Sequence, residues 1–390
     1  MIAVTVAAIS VIAGVVCAAQ LNGRIAERNA VLERSEPFAY AAQNLYAALS
    51  AADAAAASEF LSVNGTAPVR KHYQKALADA ASALTDVTAG ATDPATRKAV
   101  AQLTAQLTAY TGMVESARAN NRQTFVVGAG YLREASWLMQ NTMLPAAERI
   151  FTDDLAAVDD DQRGVGSAPM VGFILLGLVL AATGIGSAVV YARTNRQFNV
   201  GLIVAATSVV LVGGAILIAT GSAARAIDES SREAAEFGRL AKARIFAQQA
   251  RTDETLELIA HGDITAYETS FDAHIQGLVT LLGTERSPTM IAVEDWRTSH
   301  RKQVELYRNS DYNGAVTQAI GSDPHASATQ FAIVESSVRD QIEGTRVALR
   351  DHVSAAGVWL VWSPTVTLVL MGLAAGAAVA GLWPRLKEFL

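Results

Sequence analysis

The chain has 390 residues, of which 17% are charged and 51% hydrophobic, and it carries a formal net charge of −6. A soluble chain of this length would be expected to form two or three domains, but this composition is too apolar for a soluble protein. The acidic balance and the lack of a basic patch also argue against nucleic acid as a partner.

Four stretches of the chain contain no Asp, Glu, Lys or Arg: Met1–Gly23, Val165–Ala192, Gln197–Ala224 and Ser354–Pro384. Each is longer than the roughly 20 apolar residues that cross about 30 Å of hydrocarbon. The sequence therefore predicts four transmembrane helices and a multi-pass protein of the plasma membrane, surrounded by membrane lipid.

The first stretch has an alternative interpretation. Cys17-Ala18-Ala19 resembles the small-residue cleavage site of a signal peptide, but no basic segment precedes it. We therefore expect a retained helix, and the sequence leaves open whether the N-terminus is complete. Cys17 is the only cysteine, so we expect no disulfide to support the polar segments.

The charges between the spans predict the orientation. Leu21–Ala168 holds 13 Lys or Arg and 16 Asp or Glu, and Ala223–Ala355 holds 14 and 20. The remaining charges sum to +3 and are Arg193, Arg196, Arg385, Lys387 and Glu388. Because basic residues concentrate on the cytoplasmic side, we expect both large segments outside and the short loop and C-terminus inside.

This topology gives an expected division of the chain. In order, it consists of transmembrane helix 1 (1–22), a first extracytoplasmic four-helix bundle (23–168), transmembrane helix 2 (169–192), a short cytoplasmic loop (193–197), transmembrane helix 3 (198–222), a second extracytoplasmic four-helix bundle (223–355), transmembrane helix 4 (356–384) and a cytoplasmic tail (385–390).

The two large segments show signs of a tandem repeat. An aromatic and apolar pattern with steps of 4, 4 and 3 starts at Tyr73 and again at Tyr267, 194 residues later. Asp93-Pro94 and Ser287-Pro288 are also 194 residues apart, and each places a capping side chain before a proline at the first helical position.

The pattern within each segment is helical, because apolar residues recur at three and four and alanine is abundant. The predicted breaks are NGTAP (64–68), AGATDP (89–94), HGD (261–263), GTERSP (283–288) and GSDP (321–324). The expected fold class is all-α, with two tandem four-helix bundles carried on four transmembrane helices.

Pro145 lies in the middle of a helical pattern from Tyr131 to Phe151. Proline removes a backbone hydrogen bond, so we expect a kink near Met143 and Leu144. Two interpretations remain open: a fixed bend packed against its neighbours, or a hinge that moves on binding.

Motifs for catalysis and for cofactor binding are absent from the sequence. It contains no HExxH, no clustered His and Cys ligands and no GxxxxGK[ST]. The acidic run Asp159–Asp161, with Asp153 and Asp154 nearby, lacks the spacing of a calcium loop and is interpreted as a solvated linker, with a cation site just outside the membrane as the alternative. We therefore expect no enzyme activity, no metal and no cofactor.

Several arginines in the large segments are candidates for binding a small anion, because paired guanidinium groups can hold a carboxylate. Arg297 and Arg301 are one helical turn apart beside Trp296, and Arg244 and Arg251 share a helix face. A further candidate pair is Arg133 with Trp137. Acidic residues are plentiful nearby, so ordinary surface ion pairs are the alternative.

The predicted spans contain no ionisable residue of the kind that a transporter or channel places along its path. They do contain small residues at helix-packing spacing, including Gly177, Gly184, Gly372 and Gly376. Such residues let helix backbones approach closely, which indicates a compact helix bundle and leaves a homodimer possible.

Four helices between two spans resemble the sensing modules of bacterial chemoreceptors and sensor histidine kinases. Those proteins continue into a HAMP linker and a signalling domain. Here the second span is followed only by the stretch YARTNRQFN (191–199), and the fourth by RLKEFL (385–390). The resemblance therefore covers the sensing module and not the output.

A resemblance over nearly the whole chain is carried by GYLREASWLMQNTMLPAAERIF (130–151) and YNGAVTQAIG (312–321). These stretches are similar to the GlnX-type actinobacterial four-span membrane proteins. The resemblance implies a relay in which a solute-binding lipoprotein for aspartate or glutamate engages the membrane protein. The membrane protein then controls the soluble protein kinase G, a serine/threonine kinase.

The resulting hypothesis is a non-catalytic transmembrane sensor or adaptor in an amino-acid sensing pathway. Its cytoplasmic contact candidates are Arg193, Arg196, Arg385 and Lys387, since little else of the chain lies inside. Direct sensing of the amino acid by the bundles is a second possibility. The alternative class is a structural or accessory subunit that braces a larger envelope or energy-transducing complex.

Overall fold

A computed structural model of the chain describes residues 2–62, 67–121, 125–166, 169–194, 199–260, 262–283 and 286–386. All regular elements in these ranges are helical, so the all-α fold class is confirmed. The helices are α1 Ile2–Ala30, π1 Val31–Ser35, α2 Glu36–Leu61, α3 Ala67–Gly90, α4 Pro94–Asn121, α5 Phe125–Leu138, π2 Met139–Met143, α6 Leu144–Gly166, α7 Met170–Thr194, α8 Val200–Ala260, α9 Thr265–Leu282, α10 Pro288–Arg308, α11 Tyr312–Ile320, α12 Ser327–Leu360 and α13 Ser363–Leu386.

Four helical stretches are long and apolar enough to cross a membrane, judged by length and composition: Val4–Leu61, Val126–Val189, Val200–Ala260 and Ser327–Gly381. Each of them overlaps one of the four charge-free stretches of the sequence. The chain is thus consistent with a multi-pass membrane protein. Its orientation stays a prediction.

The chain folds into two compact units. The first, here called the apolar unit, comprises Met1–Glu33, Val158–Arg232 and Ala348–Leu390. The second, called the polar unit, comprises Arg34–Ala157 and Glu233–Val347. Within the polar unit, residues 34–157 are the first group and residues 233–347 the second group. The domain bounds expected from the sequence, and the tandem arrangement of the bundles, stay predictions.

In the apolar unit, α1 packs against α7 and α13. Its core is made of aliphatic side chains, for example Leu21, Val179, Val209 and Met371. Helices α8 and α13 approach so closely at Gly201 and Gly381 that a side chain on either would collide with backbone. Gly201 and Gly381 therefore provide close helix packing inside this unit. The glycines singled out by their spacing do not, because nothing lies within 4 Å of a Cβ added at Gly177, Gly184, Gly372 or Gly376.

The polar unit is held by buried apolar side chains on helices of both groups. Its largest fully buried side chains include Tyr110, Phe151, Phe271 and Trp296. Burying one such side chain stabilises the fold by about 1.5–3 kcal/mol. In the second group, α9 contributes Phe271, Ile275 and Leu278 to the interior, which matches the predicted apolar pattern.

Both predicted proline-started helices are present. Asp93 Oδ1 accepts hydrogen bonds from the backbone N–H groups of Ala95 and Thr96 at the start of α4. Ser287 Oγ accepts one from the backbone N–H of Met290 at the start of α10. Each side chain thus satisfies a backbone donor that the helix leaves unpaired. The predicted breaks at 64–66, His261 and 284–285 lie outside the described residues.

The two π-helical turns share one cause. Each ends two residues before a proline, since π1 precedes Pro37 and π2 precedes Pro145. The proline ring clashes with the carbonyl four residues earlier, and this carbonyl lies within the π-helical turn in both cases. The chain accommodates the clash by widening one turn instead of ending the helix. At the place where a kink was predicted, near Met143 and Leu144, the helix has a π-helical turn, and a hinge motion at Pro145 stays a prediction.

Candidate functional site

A buried carboxylate lies in the centre of the first group. Asp53 on α2 is 1% exposed. Its Oδ1 accepts hydrogen bonds from Ser136 Oγ at 2.8 Å and from the Tyr110 hydroxyl at 3.2 Å. Its Oδ2 accepts one from Gln140 Nε2 at 2.9 Å. Helices α2, α4 and α5 and the turn π2 therefore meet at one acidic side chain.

The charge of Asp53 is balanced by dipoles and not by a cation. No ion pair is formed by Asp53 with the described residues. Burial raises the pKa of Asp53 above its ordinary value, and the hydrogen bonds from Gln140, Ser136 and Tyr110 offset only part of this rise. A buried carboxyl with a raised pKa and no structural ion pair is the kind of group that marks functional sites.

The turn π2 helps to build this site, because Gln140 is one of its five residues. Pro145 thus has a structural effect on the donor set around Asp53. The sequence identified Pro145 but missed Asp53. One signal was available: Asp53 is the only charged residue between Glu36 and Glu59, in a run dominated by alanine.

A second buried polar cluster lies in the interior of the second group. Glu254 on α8 is fully buried, and its Oε2 accepts hydrogen bonds from Arg251 at 2.6 Å and from Trp296 Nε1 at 3.2 Å. Its other oxygen is 3.3 Å from His300 Nδ1, within ion-pair distance but not aligned as a hydrogen bond. Burial raises the pKa of Glu254, but Arg251 and His300 outweigh this effect and lower it overall.

Glu257 lies one turn further along α8 and faces the same histidine. Its Oε2 is 3.9 Å from His300 Nε2, and Gln303 Nε2 donates to its Oε1 at 3.5 Å. Burial raises the pKa of Glu257 to about 7. Burial alone would lower the pKa of His300, yet Glu254 and Glu257 raise it overall. The ring of His300 also stacks on Phe271, with 3.7 Å between centroids.

Polar side chains of α2 and α8 contact each other. They belong to residues that come before Asp53 on α2 and before Glu254 on α8 in the sequence. Arg244 on α8 donates to Gln43 and Asn44 on α2 at 3.2 Å, and it pairs with Glu335 on α12. Gln249 on α8 donates to the Tyr46 hydroxyl at 3.1 Å. The helix that carries Asp53 and the helix that carries Glu254 are therefore joined by hydrogen bonds.

The predicted anion-binding residues occupy different environments. Arg251 and Trp296 are buried in the Glu254 cluster, and Arg244 is buried between α2, α8 and α12. Arg301 is exposed and Arg297 is partly exposed, and both pair with Glu294. Trp296 thus points into the interior while its sequence neighbour Arg297 faces out. A carboxylate clamp made of Trp296, Arg297 and Arg301 stays a prediction.

Two other predicted candidates, Arg133 and Trp137, lie on the exposed face of α5. Among the cytoplasmic contact candidates, Arg196 and Lys387 lie outside the described residues, and so do the side chains of Arg193 and Arg385. No group of three or more His, Cys, Asp or Glu side chains in the described ranges could hold a metal ion. Asp159 and Asp160 pair with Arg163 instead.

Comparison with known families gives one match, and it includes the first group. Residues 27–163 match the family model of the actinobacterial sensor domain. This match supports an actinobacterial sensor protein. The match covers 137 of the 390 residues, and the matched range contains Asp53, Tyr110, Ser136 and Gln140. No match was found among curated proteins or among solved structures.

Proposed function

We propose that the chain is a non-catalytic transmembrane sensor whose sensing core is the Asp53 site. The observation that carries this proposal is the overlap between the actinobacterial sensor domain, residues 27–163, and the buried uncompensated carboxylate at its centre. In a helical bundle, a change at such a group alters the relative stability of two packings, and any event that prefers one packing shifts the population.

The proposed relay starts at the donor set of Asp53. Ser136 and Gln140 belong to α5 and π2, and Tyr110 belongs to α4. A small shift of α5 and π2, for example when a partner binds their outer surface, changes the length of at least two hydrogen bonds to the carboxylate. Because Asp53 has no cation to compensate, its energy is sensitive to these bonds.

The relay continues from α2 to α8 through the Tyr46–Gln249 and Arg244–Gln43 hydrogen bonds. Helix α8 is unbroken from Val200 to Ala260 and contains one of the four candidate membrane spans. We propose that a displacement of its polar segment is transmitted along this helix to the candidate membrane span. We propose that the readout on the inner side involves Arg193, Arg196, Arg385 and Lys387.

The proposed input is an extracytoplasmic solute-binding lipoprotein that carries aspartate or glutamate, and the proposed output is a cytoplasmic serine/threonine kinase. The resemblance to GlnX-type proteins supports both partners, and the sensor-domain match is in accord with it. A chain with no catalytic motif of its own needs a second protein to act on the signal.

Affinity purification of the tagged full chain from actinobacterial cells tests this function. Cells are grown with and without aspartate and glutamate, and copurifying proteins are quantified under mild detergent. A sensor is expected to change its association with a lipoprotein or a kinase with amino-acid supply. Fixed stoichiometry with a large envelope complex, unchanged by supply, would contradict the proposal and favour the structural alternative.

A further inference from the structure

One face of the run α5–π2–α6 leaves large apolar and aromatic side chains in solvent. Val126 and Trp137 are 79% and 58% exposed, and Val127 and Tyr131 are also exposed. These side chains lie on two adjacent stripes of one helix, since Val126 and Trp137 are eleven residues apart and Val127 and Tyr131 are four apart. Clustered exposed aromatic and apolar residues mark interaction surfaces on helical proteins.

The same run carries charged side chains that form no ion pair. Arg133, Glu134 and Arg149 are exposed, Glu148 is partly exposed, and none of the four forms an ion pair with the described residues. Some other exposed arginines, such as Arg163 and Arg232, have a partner on their own helix, whereas exposed Arg225 has no ion pair with the described residues. Tyr, Trp and Arg are also the residues that most often dominate binding energy.

The order of these charges is self-complementary. Arg133 is followed by Glu134, and Glu148 is followed by Arg149. When two copies of one helix pack in parallel about a two-fold axis, each residue faces the same level of the other copy. Arg133 then lies beside Glu134 of the second copy, and Arg149 lies beside Glu148 of the second copy. These two levels of the helix are about 22 Å apart, given a rise of about 1.5 Å per residue.

We propose that the face formed by Val126, Tyr131, Arg133, Glu134, Trp137 and Arg149, here called the α5–α6 face, binds a second copy of this chain in parallel. In this dimer Trp137 packs near its counterpart at the axis. Arg133 pairs with Glu134 of the second copy, and Glu148 pairs with Arg149 of the second copy. The inference does not depend on the proposed partners of the sensor.

Two further features fit a second copy. A groove of about 470 Å³ continues the face around Pro145, Glu148 and Arg149 and can receive side chains from another molecule. The membrane-spanning helices α7 and α13 leave Gly177, Gly184, Gly372 and Gly376 exposed, with nothing close to a Cβ added there. Exposed glycines let a second chain approach within the bilayer.

Cysteine crosslinking tests the face directly, because the chain has one native cysteine. The full chain with Cys17→Ser receives Trp137→Cys, at the proposed axis, and is oxidised in native membranes. A disulfide requires Cβ atoms about 3.8 Å apart. The control is Ile291→Cys on α10, whose side chain is also exposed.

The expected result is a crosslinked species of twice the chain mass with Trp137→Cys and little with the control. Equal crosslinking at Ile291→Cys would indicate random collision and overturn the proposal. No dimeric species from Trp137→Cys, or only adducts with a different protein, would overturn it as well.

Exchanging the charges of residues 133 and 134 tests the proposed pairing itself. A variant that only disturbed the fold would not regain dimerisation when the second charge is exchanged. Arg133→Glu places like charges at one level and is expected to weaken dimerisation about tenfold, since two symmetric pairs are affected. The double variant Arg133→Glu with Glu134→Arg is expected to restore it. Arg339→Glu on α12, beside Asp340, is the matched control. Failure of the double variant to restore pairing, or an equal effect of the control, would overturn the charge pairing.

Discussion

The side chain of Gln249 on α8 donates a hydrogen bond of 3.1 Å to the hydroxyl of Tyr46 on α2. Tyr46 lies about two helical turns before Asp53, and Gln249 lies just over one turn before Glu254. This contact therefore joins the two helices that carry the buried carboxylates. It offers a physical route by which a change in the first group can reach α8.

The first prediction concerns the donors around Asp53. Asp53→Ala would leave the hydroxyls of Tyr110 and Ser136 and the amide of Gln140 buried without an acceptor, so we expect a loss of about 3 kcal/mol in the free energy of unfolding. Asp53→Asn retains an acceptor and removes the buried charge, so we expect a change within about 1 kcal/mol.

Urea unfolding of the full chain in detergent measures this difference, with Asp79→Ala as the control. Asp79 is exposed and pairs only with Lys75 one turn earlier, so its loss is expected to change the unfolding free energy by less than about 0.5 kcal/mol. Equal effects of Asp53→Ala and Asp53→Asn would show that the donors do not depend on the carboxylate.

The second prediction is a pH dependence caused by Glu257. Its pKa is raised to about 7, so the folded chain binds this proton more tightly than the unfolded chain. The resulting stabilisation is complete below the unfolded pKa of about 4.5 and is lost as pH rises through about 7. The raised pKa of His300 acts in the same direction.

Thermal unfolding between about pH 5 and pH 8 measures this effect, and we expect the stability of the wild-type chain to fall by about 2 kcal/mol over this range. Glu257→Gln is expected to flatten the dependence, whereas Glu294→Gln, which replaces an exposed carboxyl, is expected to leave it unchanged. A wild-type chain that gains stability as pH rises would contradict the assigned sign.

The third prediction separates two arginines that look alike in the sequence. Arg251 is buried against Glu254, so Arg251→Ala leaves a buried carboxylate without its cation and is expected to destabilise the fold by about 3–5 kcal/mol. Arg301 is exposed and pairs with Glu294 at 3.4 Å, so Arg301→Ala is expected to stay within about 0.5 kcal/mol. Thermal or chemical unfolding of both variants distinguishes them, and similar losses would refute the assignment of Arg251 to the interior.

The fourth prediction concerns Tyr46 and Gln249. In a double-mutant cycle of Tyr46→Phe and Gln249→Leu, we expect a coupling energy of about 1 kcal/mol, because the two side chains form one partly buried hydrogen bond. Tyr40→Phe with Gln249→Leu is the control, since no contact between those two side chains is observed among the described residues. Additive effects of Tyr46→Phe and Gln249→Leu would show that the contact carries no energy.

Local signals predicted the helices well. The caps at Asp93 and Ser287 depend on a side chain and the three residues after it, so the sequence alone determines them. Pro145 predicted an irregularity at the right place, because the clash with the carbonyl four residues earlier is also local. The form of that irregularity, a π-helical turn, was not predicted.

The buried clusters depend on contacts between distant residues and were not found. Asp53 meets Tyr110, Ser136 and Gln140 from 57 to 87 residues away, and its own surroundings in the sequence are mostly alanine. Trp296 and Arg297 are neighbours in the sequence, but consecutive helical residues point about 100° apart. Trp296 and Arg297 were predicted to belong to one site because they are adjacent in the sequence, but the helix directs their side chains to different environments.

Amide hydrogen exchange of the full chain in lipid nanodiscs tests the relay most directly. The chain with Asp53→Asn is compared with the wild type, each with Tyr46 intact or changed to Phe. The relay predicts that Asp53→Asn alters exchange in α8 around Gln249 and that Tyr46→Phe reduces this distant change, since the hydrogen bonds from Arg244 to α2 remain. An effect of Asp53→Asn confined to α2, α4 and α5, or one in α8 that persists unchanged with Tyr46→Phe, would contradict it.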